Sequence, residues 1–471
     1  MRYYISLLFL STLLTHQLLM AAPRTVFVQL FEWPWKDVAK ECEHYLGPNG
    51  FAAVQVSPPQ EHLSTNNSFW WERYQPVSYK ILSRSGNEED FKDMVQRCNK
   101  VGVDIYVDAV INHMSGFESG QGLSGFPFTH YSYDNVYNYD DFHHCNRNDS
   151  DDIVNFTDRY ELFNCELLNL ADLNTSANKV KKTISNYLNK LTDYGVKGFR
   201  IDAAKHMSPA DLIGIKKNLK NSPYIIQELI ISAAEPIGYN EYSSIGDMTV
   251  FAVPFLLGQA FKHQHLGALR NINLGLPASD QAIVFIDNHD LQRINERSSL
   301  LTYQQDHSAF RLAQVFLLTW PYAYPQIYSG FNMNSFDQGP PVDSNRMTIP
   351  ILDENLNCSS AWTCEHRLPE VAGLVKFRNF TDNAFYTTDW WSNGTDQLAF
   401  SRGSLGFVAI NNSAQLMQRE LQTSLPQGEY CNLAESVNTK DSNCEKLYII
   451  DKNSRIKLKL QPQTALVLLK K

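Results

Sequence analysis

The sequence predicts an α/β protein, a (β/α)8 TIM barrel with an irregular insertion after its third strand and a C-terminal antiparallel β-sandwich. Short apolar runs alternate with helix-like stretches over most of the chain, as is typical of buried parallel strands. Three acidic residues, Asp202, Glu228 and Asp290, each stand at the end of such a run. Because the C-terminal strand ends of a barrel carry its chemistry, we expect these carboxyl groups to face a common centre.

The first three strands are predicted in TVFVQLF from Thr25, GFAAVQVSP from Gly50 and VDIYVDAVINH from Val103. Helix-like stretches lie between them at about residues 36–45 and 88–100. This spacing matches the strand and helix alternation of a barrel.

The alternation stops after the third strand. Residues 115–155 are rich in Gly, Ser, Asn, Asp, Tyr and His and show no sustained period. A structureless loop of this length is unusual inside a compact domain. We therefore interpret the segment as a small subdomain with a function.

The second half of the barrel begins with a predicted helix at residues 178–193, and the runs before the three acids supply three more strands. DMTVFAVPF from Asp247 is a candidate sixth strand, and FLLTWPYAYPQIYSG from Phe316 is a candidate eighth. From about Phe385 the chain changes to short alternating strands with Gly, Asn and Pro turns, which predict an all-β domain.

These patterns divide the chain into a signal peptide, a barrel in two parts, an insertion and a C-terminal domain. The predicted segments are residues 1–22, residues 23–111 with 174–384, residues 112–173 and residues 385–471, respectively.

The N-terminus predicts secretion. Residues 1–22 combine Arg2 with an apolar stretch and end in Ala21 and Ala22, as a cleaved signal peptide does. A membrane anchor is the alternative, but polar residues 15–17 interrupt a segment already short for a span.

The net charge of −9 and pI near 5.8 argue against nucleic acid or an anionic membrane as partner, and favour a neutral substrate.

The cysteines agree with an oxidising compartment, because their number, eight, is even. Pairing of sequence neighbours suggests three disulfide bonds and leaves a fourth: Cys145–Cys165, Cys358–Cys364, Cys431–Cys444 and Cys42–Cys98. No pair has the Cys-x-x-Cys spacing, so a zinc site is not expected. Sequons at Asn155, Asn379, Asn393 and Asn411 suit a glycosylated secreted chain.

The acids and a set of aromatic residues indicate carbohydrate chemistry. Converging acids without a cluster of basic residues favour glycoside hydrolysis over phosphate chemistry. Each acid alone could instead be a helix N-cap or a strand-end ion pair, but three such coincidences are improbable. Trp70, Trp71 and Tyr74 follow the second strand and offer flat faces to sugar rings, although a hydrophobic corner of the barrel is the alternative.

Several stretches resemble the α-amylases, and within them the animal-type enzymes. They follow the order of the barrel: LFEWPWKDVAKECE from Leu30, GFAAVQVSPPQE from Gly50, WWERYQPVSYK from Trp70, YVDAVINHM from Tyr106, GFRIDAAKH from Gly198, QELI from Gln227 and FIDNHD from Phe285. The resemblance extends to EHR at Glu365 and the C-terminal β domain.

The resemblance implies a role for each acid. Asp202 would be the nucleophile, Glu228 the general acid and base, and Asp290 the residue that stabilises the transition state, in a retaining mechanism. We expect Arg200 to lower the pKa of Asp202 by its opposite charge, and a dry pocket to keep Glu228 protonated.

The resemblance also implies substrate-binding residues and a calcium site. The substrate-binding set is Trp70, Trp71, Tyr74, His113, Arg200, Lys205, His206 and His289. Each histidine alone is equally compatible with a structural role. The calcium ligands would be Asn112, Asp172, the main chain of His206 and a main-chain oxygen near Phe163. Without the resemblance, Asn112 and Asp172 would indicate only a turn or strand-end hydrogen bond.

Two positions depart from the animal-type pattern. Arg200 and Asn288 match two chloride ligands of the family, but Gln326 stands where the family usually has Arg. A glutamine lacks charge, so chloride binding is not expected and activity should be chloride-independent. After Asp290, the family's mobile glycine-rich loop is replaced by LQRINERSSLLTYQQ, which contains no glycine.

Three functions remain open at this stage. The favoured one is a secreted, monomeric, endo-acting α-1,4-glucan hydrolase that acts on starch, glycogen and maltooligosaccharides, without nucleic acid or membrane partners. A glucosidase or glucanotransferase would share the fold and the acids and differ in the cleft loops. A non-catalytic carbohydrate-binding protein is disfavoured because all three acids are present.

Overall fold

The computed structural model describes residues 25–133, 136–294, 299–435, 444 and 446–470. The predicted signal peptide, residues 1–22, lies outside the described residues. Among the residues that are described, no helix combines the length and the apolar character that a membrane span requires.

Eight parallel strands form a closed barrel in which each strand pairs with its neighbours in sequence and the eighth closes on the first. The strands are β1 Phe27–Leu30, β2 Ala53–Val56, β3 Asp104–Ala109, β4 Gly198–Ile201, β5 Tyr224–Gln227, β6 Asp247–Thr249, β7 Ala282–Val284 and β8 Tyr324–Ser329. This architecture confirms the predicted barrel. Apolar side chains on several of its strands, including Phe27, Ile226 and Ile283, pack together in one buried cluster.

Helices occupy the connections between the strands and the segment that follows β8. They are α1 Trp35–Glu41, α2 Glu88–Lys100, α3 Arg159–Asn164, α4 Asn178–Asp193, α5 Pro209–Lys217, α6 Tyr239–Tyr242, α7 Ala252–Lys262, α8 His307–Thr319 and α9 Val371–Phe380. A π-helical segment, Cys42–Leu46, continues α1, and a short antiparallel sheet of Gln60–His62, Pro76–Ser83 and Gly86–Asn87 follows β2.

Helix α2 shows why its sequence folds as it does. The Asn87 side chain caps the helix by accepting a hydrogen bond from the Asp90 backbone N–H at 3.0 Å. Its buried side chains recur three or four residues apart and form one apolar face: Phe91, Met94, Val95 and Cys98. A disulfide bond from Cys98 to Cys42 then joins α2 to the segment after α1.

Two predicted strands are shorter than expected. Only Asp247–Thr249 of the run DMTVFAVPF pairs in the barrel, and α7 begins at Ala252. Residues 316–319 of the predicted eighth strand belong to α8, and β8 begins at Tyr324. Helices and strands that are buried share continuous apolar runs, so periodicity does not distinguish them here.

The insertion after β3 is compact and irregular, with little regular structure. It contains a hairpin of Ser119–Gln121 and Pro127–Thr129, the 3-10 turn Tyr139–Asp141 and α3. Its two ends run side by side, because His113 and Asp172 form an antiparallel bridge. The insertion therefore leaves and re-enters the barrel at one place, beside the strand ends.

The C-terminal domain consists of two four-stranded antiparallel sheets. Its strands are β9 Thr388–Ser392, β10 Gln397–Arg402, β11 Gly406–Asn411, β12 Met417–Gln422, β13 Gly428–Cys431, β14 Leu447–Ile450, β15 Arg455–Leu460 and β16 Thr464–Leu469. The sheet orders are β9-β10-β11-β16 and β12-β15-β14-β13, with an apolar core between them. This confirms the predicted C-terminal all-β domain.

The C-terminal domain is hydrogen-bonded to the barrel through Arg402. This buried arginine of β10 donates to the main-chain oxygens of Thr319 at 2.7 Å, Thr381 at 2.8 Å and Ala384 at 3.0 Å. Thr319 ends α8 of the barrel, so one side chain joins the two domains.

All four predicted disulfide bonds are present: Cys42–Cys98, Cys145–Cys165, Cys358–Cys364 and Cys431–Cys444.

The four predicted glycosylation sequons differ in accessibility. Asn155 and Asn393 are exposed, whereas Asn379 and Asn411 are buried and hydrogen-bonded to main-chain oxygens. A glycan therefore fits the folded chain at the first two sites and not at the other two.

Candidate active site

Two of the three acids lie directly at strand ends. Asp202 follows β4 and Glu228 follows β5, and their backbone N–H groups continue the barrel ladder to Ala109 O and Ile201 O. Asp290 was predicted at a strand end, but β7 stops at Val284 and Asp290 lies in the loop beyond. The apolar run goes on through Phe285 and Ile286 as non-strand backbone, which apolar content alone does not reveal.

Arg200 is the centre of the site. It is buried on β4, and its Nη1 lies 2.7 Å from Asp202 Oδ1 and 2.6 Å from Asp108 Oδ1. Its Nη2 forms an ion pair with Glu228 Oε1. Three carboxyl groups therefore share one guanidinium, which holds Asp202 and Glu228 close together.

Burial sets the protonation of these acids. It raises the pKa of Asp202 to about 7, that of Glu228 to about 7 and that of Asp108 to about 6, while the charge of Arg200 opposes each rise. The predicted lowering of the Asp202 pKa is therefore wrong in net direction, because desolvation exceeds the effect of Arg200. The raised pKa of Glu228 agrees with the expectation. The carboxyl groups titrate as a set that retains a proton near neutral pH.

The residue after Asp202 adopts an uncommon backbone conformation. Ala203 has a φ of 49°, in the left-handed region, which costs a non-glycine residue about 1 kcal/mol or more. In this conformation its N–H donates to Glu228 Oε2 at 2.8 Å. The strained turn therefore supplies a main-chain donor to the second acid.

His289 and Tyr74 form an aromatic wall beside the acids. The Tyr74 hydroxyl donates to Asp108 Oδ2 at 2.8 Å. Its ring stacks on His289 with centroids 4.9 Å apart and planes 5° from parallel. His289 Nε2 lies 3.6 Å from Asp290 Oδ2, and its Nδ1 lies 3.1 Å from Gln29 Nε2. His289 therefore lies between Gln29 of β1 and the carboxyl group of Asp290.

A cavity of about 420 Å³ opens beside Asp290. It is lined by Trp70, Trp71, Tyr74, Gln75, Leu168, Leu170, Asp290, Ile294 and Phe336. The structure therefore brings the three predicted aromatic residues together with one of the acids. Trp71 Nε1 donates to Asp337 Oδ1 at 2.9 Å, and this bond joins the aromatic wall to the loop after β8.

The loop beyond Asp290 is held by Arg293. Its guanidinium donates to the main-chain oxygens of Phe336 at 2.9 Å and Gln338 at 3.0 Å, and lies 4.8 Å from the Trp70 ring centroid. Residues 295–298 of the glycine-free loop lie outside the described residues. Arg293 thus connects the start of this loop to the segment after β8 and to Trp70.

Three predicted substrate-binding residues have protein partners. His113 Nε2 donates to Tyr74 O at 3.0 Å, because a carbonyl oxygen only accepts. Lys205 Nζ donates to Ile230 O at 2.7 Å and to Glu235 Oε1 at 2.9 Å. The His206 ring lies 3.2 Å from Leu162 O, which places it against α3 of the insertion.

The residues predicted to hold calcium lie at the base of the insertion. Asn112 Nδ2 donates to Asp172 Oδ1 at 3.2 Å, and His143 Nδ1 lies 2.6 Å from Asp172 Oδ2. Burial raises the pKa of Asp172 to about 6, so its ionised form would gain from a nearby cation. Over the described part of the chain, no three His, Cys, Asp or Glu side chains are grouped to hold a metal. Asp172 and Asn112 offer one carboxylate and one amide oxygen, donors that suit a hard cation.

Several residues of the site were not predicted from the sequence, among them Asp108, Gln29 and Phe336. Asp108 is a carboxyl group inside an apolar strand, and a buried acid requires a cationic partner; that signal could have found it. Gln29 lies inside β1 and contacts His289 from 260 positions away. Phe336 belongs to a polar loop that shows no pattern. The sequence contained no signal for these last two.

A barrel whose strand-end carboxyl groups meet at one guanidinium, beside an aromatic cleft, has the arrangement expected of a glycoside hydrolase. The family description "Alpha amylase, catalytic domain" matches residues 41–227, and "Alpha amylase, C-terminal all-beta domain" matches residues 390–471. The chain belongs to the α-amylase family.

Individual relatives agree over most of their length. An α-amylase of Tenebrio molitor is 44% identical over 434 residues, covering 88% of this chain and 89% of that protein. An α-amylase of Pecten maximus is 41% identical over 438 residues, covering 88% and 85%. The crystal structure of α-amylase I from Eisenia fetida superposes with a TM-score of 0.88 at 33% identity, covering 95% of this chain and 98% of that chain. A variant of that enzyme was solved as a maltohexaose complex.

Proposed function

We propose that this protein is a secreted, endo-acting α-amylase that hydrolyses internal α-1,4-glucosidic bonds of starch and glycogen with retention of configuration. The observation that supports retention is the contact of Asp202 and Glu228 with the two Nη atoms of Arg200. Carboxyl groups bridged in this way are close neighbours. A retaining pair is separated by about 5 Å, whereas an inverting pair leaves room for a water molecule between acid and sugar.

The proposed reaction has two steps. Asp202 attacks the anomeric carbon while Glu228 gives its proton to the departing glycosidic oxygen, which leaves a glycosyl ester on Asp202. Glu228, now a carboxylate, takes a proton from a water molecule that attacks the same carbon and releases Asp202. Asp290, beside the cleft, offsets the positive charge that develops on the sugar ring.

The raised pKa of Glu228 supports its role as the acid, because a carboxyl group must hold a proton near neutral pH to donate it. The shared guanidinium supports ionisation of Asp202 in the same state. Once Glu228 carries the proton, Asp108 and Asp202 are left to share the charge of Arg200. The arrangement therefore favours a protonated Glu228 beside an ionised Asp202.

The shape of the cleft supports binding of an internal chain segment. Leu168 and Phe336, which line the cavity, are 82% and 55% exposed, so the cavity opens to solvent along its wall. Flat aromatic surfaces such as Trp70 and Trp71 stack on sugar rings. The maltohexaose bound to a variant of the Eisenia fetida enzyme supports an oligosaccharide in this cleft.

The proposal is tested by following soluble starch by proton NMR and by product size. We expect α-anomers at early times and a range of short maltooligosaccharides. β-Anomers at early times would exclude retention. Glucose as the sole product would indicate a glucosidase, and glucans longer than the substrate a glucanotransferase.

We propose that secretion accompanies this activity, since four disulfide bonds suit an oxidising compartment. The test is N-terminal sequencing of the protein recovered from culture medium. A mature chain that begins near residue 23 supports the proposal. An uncleaved chain that keeps residues 1–22 and stays with the cells contradicts it.

We propose that the activity of this protein does not depend on chloride. Gln326 carries no charge, and its amide donates to Gln29 Oε1 at 2.9 Å. Arg200, the remaining cation of the candidate chloride set, is paired with three carboxyl groups. We expect kcat/KM of dialysed enzyme to change by less than about twofold when chloride is added. Strong activation by chloride would contradict this.

Dependence on calcium is a further expectation. Asp172, Asn112 and main-chain oxygens of His206 and near Phe163 would hold the ion, which when bound would brace the insertion against the barrel. We expect a chelator to lower the melting temperature and added Ca²⁺ to restore it, whereas Mg²⁺ should restore less because it needs a smaller, more regular shell. In Asp172→Asn, the response to Ca²⁺ should be lost. An unchanged melting temperature in chelator would exclude a structural calcium ion.

A further inference from the structure

Two buried glutamines connect the barrel to His289. Gln29 on β1 and Gln326 on β8 lie on adjacent strands of the barrel and are 2% and 5% exposed. Gln326 Nε2 donates to Gln29 Oε1 at 2.9 Å, and Gln29 Nε2 lies 3.1 Å from His289 Nδ1. These contacts form a chain of hydrogen bonds that ends on a ring of the active site.

The direction of these hydrogen bonds determines which nitrogen of His289 carries a proton. An amide oxygen only accepts, and an amide nitrogen only donates. Because Gln29 Oε1 accepts from Gln326, Gln29 presents N–H to His289. His289 Nδ1 must then accept with its lone pair, which leaves the proton of the neutral ring on Nε2.

A second contact favours the same tautomer. His289 Nε2 lies 3.6 Å from Asp290 Oδ2. A protonated Nε2 is attracted to this carboxylate, whereas a lone pair there would face it unfavourably. Reversing both amides would put the proton on Nδ1 and create that repulsion. The contacts at Nδ1 and at Nε2 therefore both favour the tautomer with the proton on Nε2.

The remaining freedom of the ring is small. His289 is stacked between Tyr74 and Phe31, with both centroid distances 4.9 Å. These contacts fix the plane of the ring but do not choose its tautomer. Burial lowers the pKa of His289 to about 4, so the ring is neutral at neutral pH and a choice of tautomer exists.

We propose that Gln326 and Gln29 are positioning residues that hold His289 as the Nε2-protonated tautomer, so that the ring donates a hydrogen bond into the cleft. Gln326 acts only through Gln29, by fixing the orientation of its amide. That a sugar hydroxyl accepts this hydrogen bond rests on the proposed function, whereas the tautomer itself does not. Gln326, considered above as the site of a lost chloride ligand, thus has a role of its own.

The tautomer can be measured without substrate. ¹⁵N NMR of protein labelled at histidine nitrogens distinguishes protonated Nδ1 from protonated Nε2, and His289→Gln identifies the signal among the 13 histidines. We expect protonated Nε2 in the wild type and loss of this preference in Gln29→Leu. Protonated Nδ1 in the wild type, or an unchanged signal in folded Gln29→Leu, would overturn the proposal.

Kinetics test the order of the two glutamines. Gln29→Leu should lower kcat/KM about tenfold, since a misdirected hydrogen bond costs about this much, and Gln326→Leu should lower it less. The double variant should be no worse than Gln29→Leu alone, with the same values in chloride-free buffer. Gln314→Leu, at a buried position of α8, is the matched control and should leave kcat/KM unchanged.

Each failure has a distinct meaning. Additive losses in the double variant, or losses that appear only with chloride, would show that Gln326 does not act through Gln29. Wild-type protein that does not cleave starch would contradict the proposed function, while the NMR signal of His289 would still decide its tautomer. Melting temperatures of Gln29→Leu and Gln326→Leu separate a loss of folding from a change at the ring.

Discussion

Replacing Asp202 by Asn is expected to reduce the hydrolysis of soluble starch by roughly a thousandfold or more, because an amide does not form the glycosyl ester. The fold should persist, since the amide oxygen still accepts from Arg200 Nη1. Burial raises the pKa of Asp202 to about 7, above its unfolded value near 4. The folded state therefore binds the proton more tightly, and the ionised group reduces stability as pH rises from 4 towards 7. Asp202→Asn removes this decrease in folding stability, because an amide does not ionise.

The measurement is starch hydrolysis together with the melting temperature at pH 5 and pH 7. Asp280→Asn, at an exposed aspartate before β7, is the matched control and should retain full activity. Asp202→Asn should melt no lower than the wild type at pH 7. Activity retained within about tenfold would remove Asp202 from the role of nucleophile.

Replacing Glu228 by Gln is expected to cause a comparable loss on starch, for a different reason. The amide has no proton to give to the leaving oxygen and does not later activate water. An aryl maltoside whose phenol leaves without a proton bypasses the first defect but not the second. Glu228→Gln should therefore accumulate a covalent glycosyl adduct on Asp202 with this substrate.

Intact-protein mass spectrometry detects that adduct. The expected mass increase is that of one maltosyl group in Glu228→Gln, with none in the double variant Asp202→Asn/Glu228→Gln. A small nucleophile such as azide should release the sugar and partly restore turnover. Normal turnover of starch by Glu228→Gln, or an adduct that persists without Asp202, would refute the assignment of the two acids.

The parts predicted from the sequence are those that depend on local patterns. Apolar runs and helix spacing predicted the barrel, and α2 and α4 lie at the predicted residues. The limits of β6 and β8 were wrong because buried helices and strands share apolar runs. The positions of Asp202 and Glu228 followed from strand ends, whereas their catalytic roles stay predictions.

The parts that were missed depend on contacts between distant residues. Asp108 meets Arg200 across 92 positions, and Gln29 meets His289 across 260. The pKa of Asp202 was predicted from the one neighbour visible in the sequence, Arg200. Desolvation by the folded barrel, which no local pattern reports, reversed its direction.

The hydrogen bonds of Arg402 bear on how this protein can be recombined with its relatives. The arginine belongs to the sandwich, but the oxygens of Thr319, Thr381 and Ala384 belong to the barrel and the segment that leaves it. A chimera joined near Phe385, where the sequence changes to short alternating strands, would separate the donor from its acceptors. Three carbonyl groups would then lack this partner. The sandwich is thus not an interchangeable module, and a functional chimera has to inherit both halves of this contact.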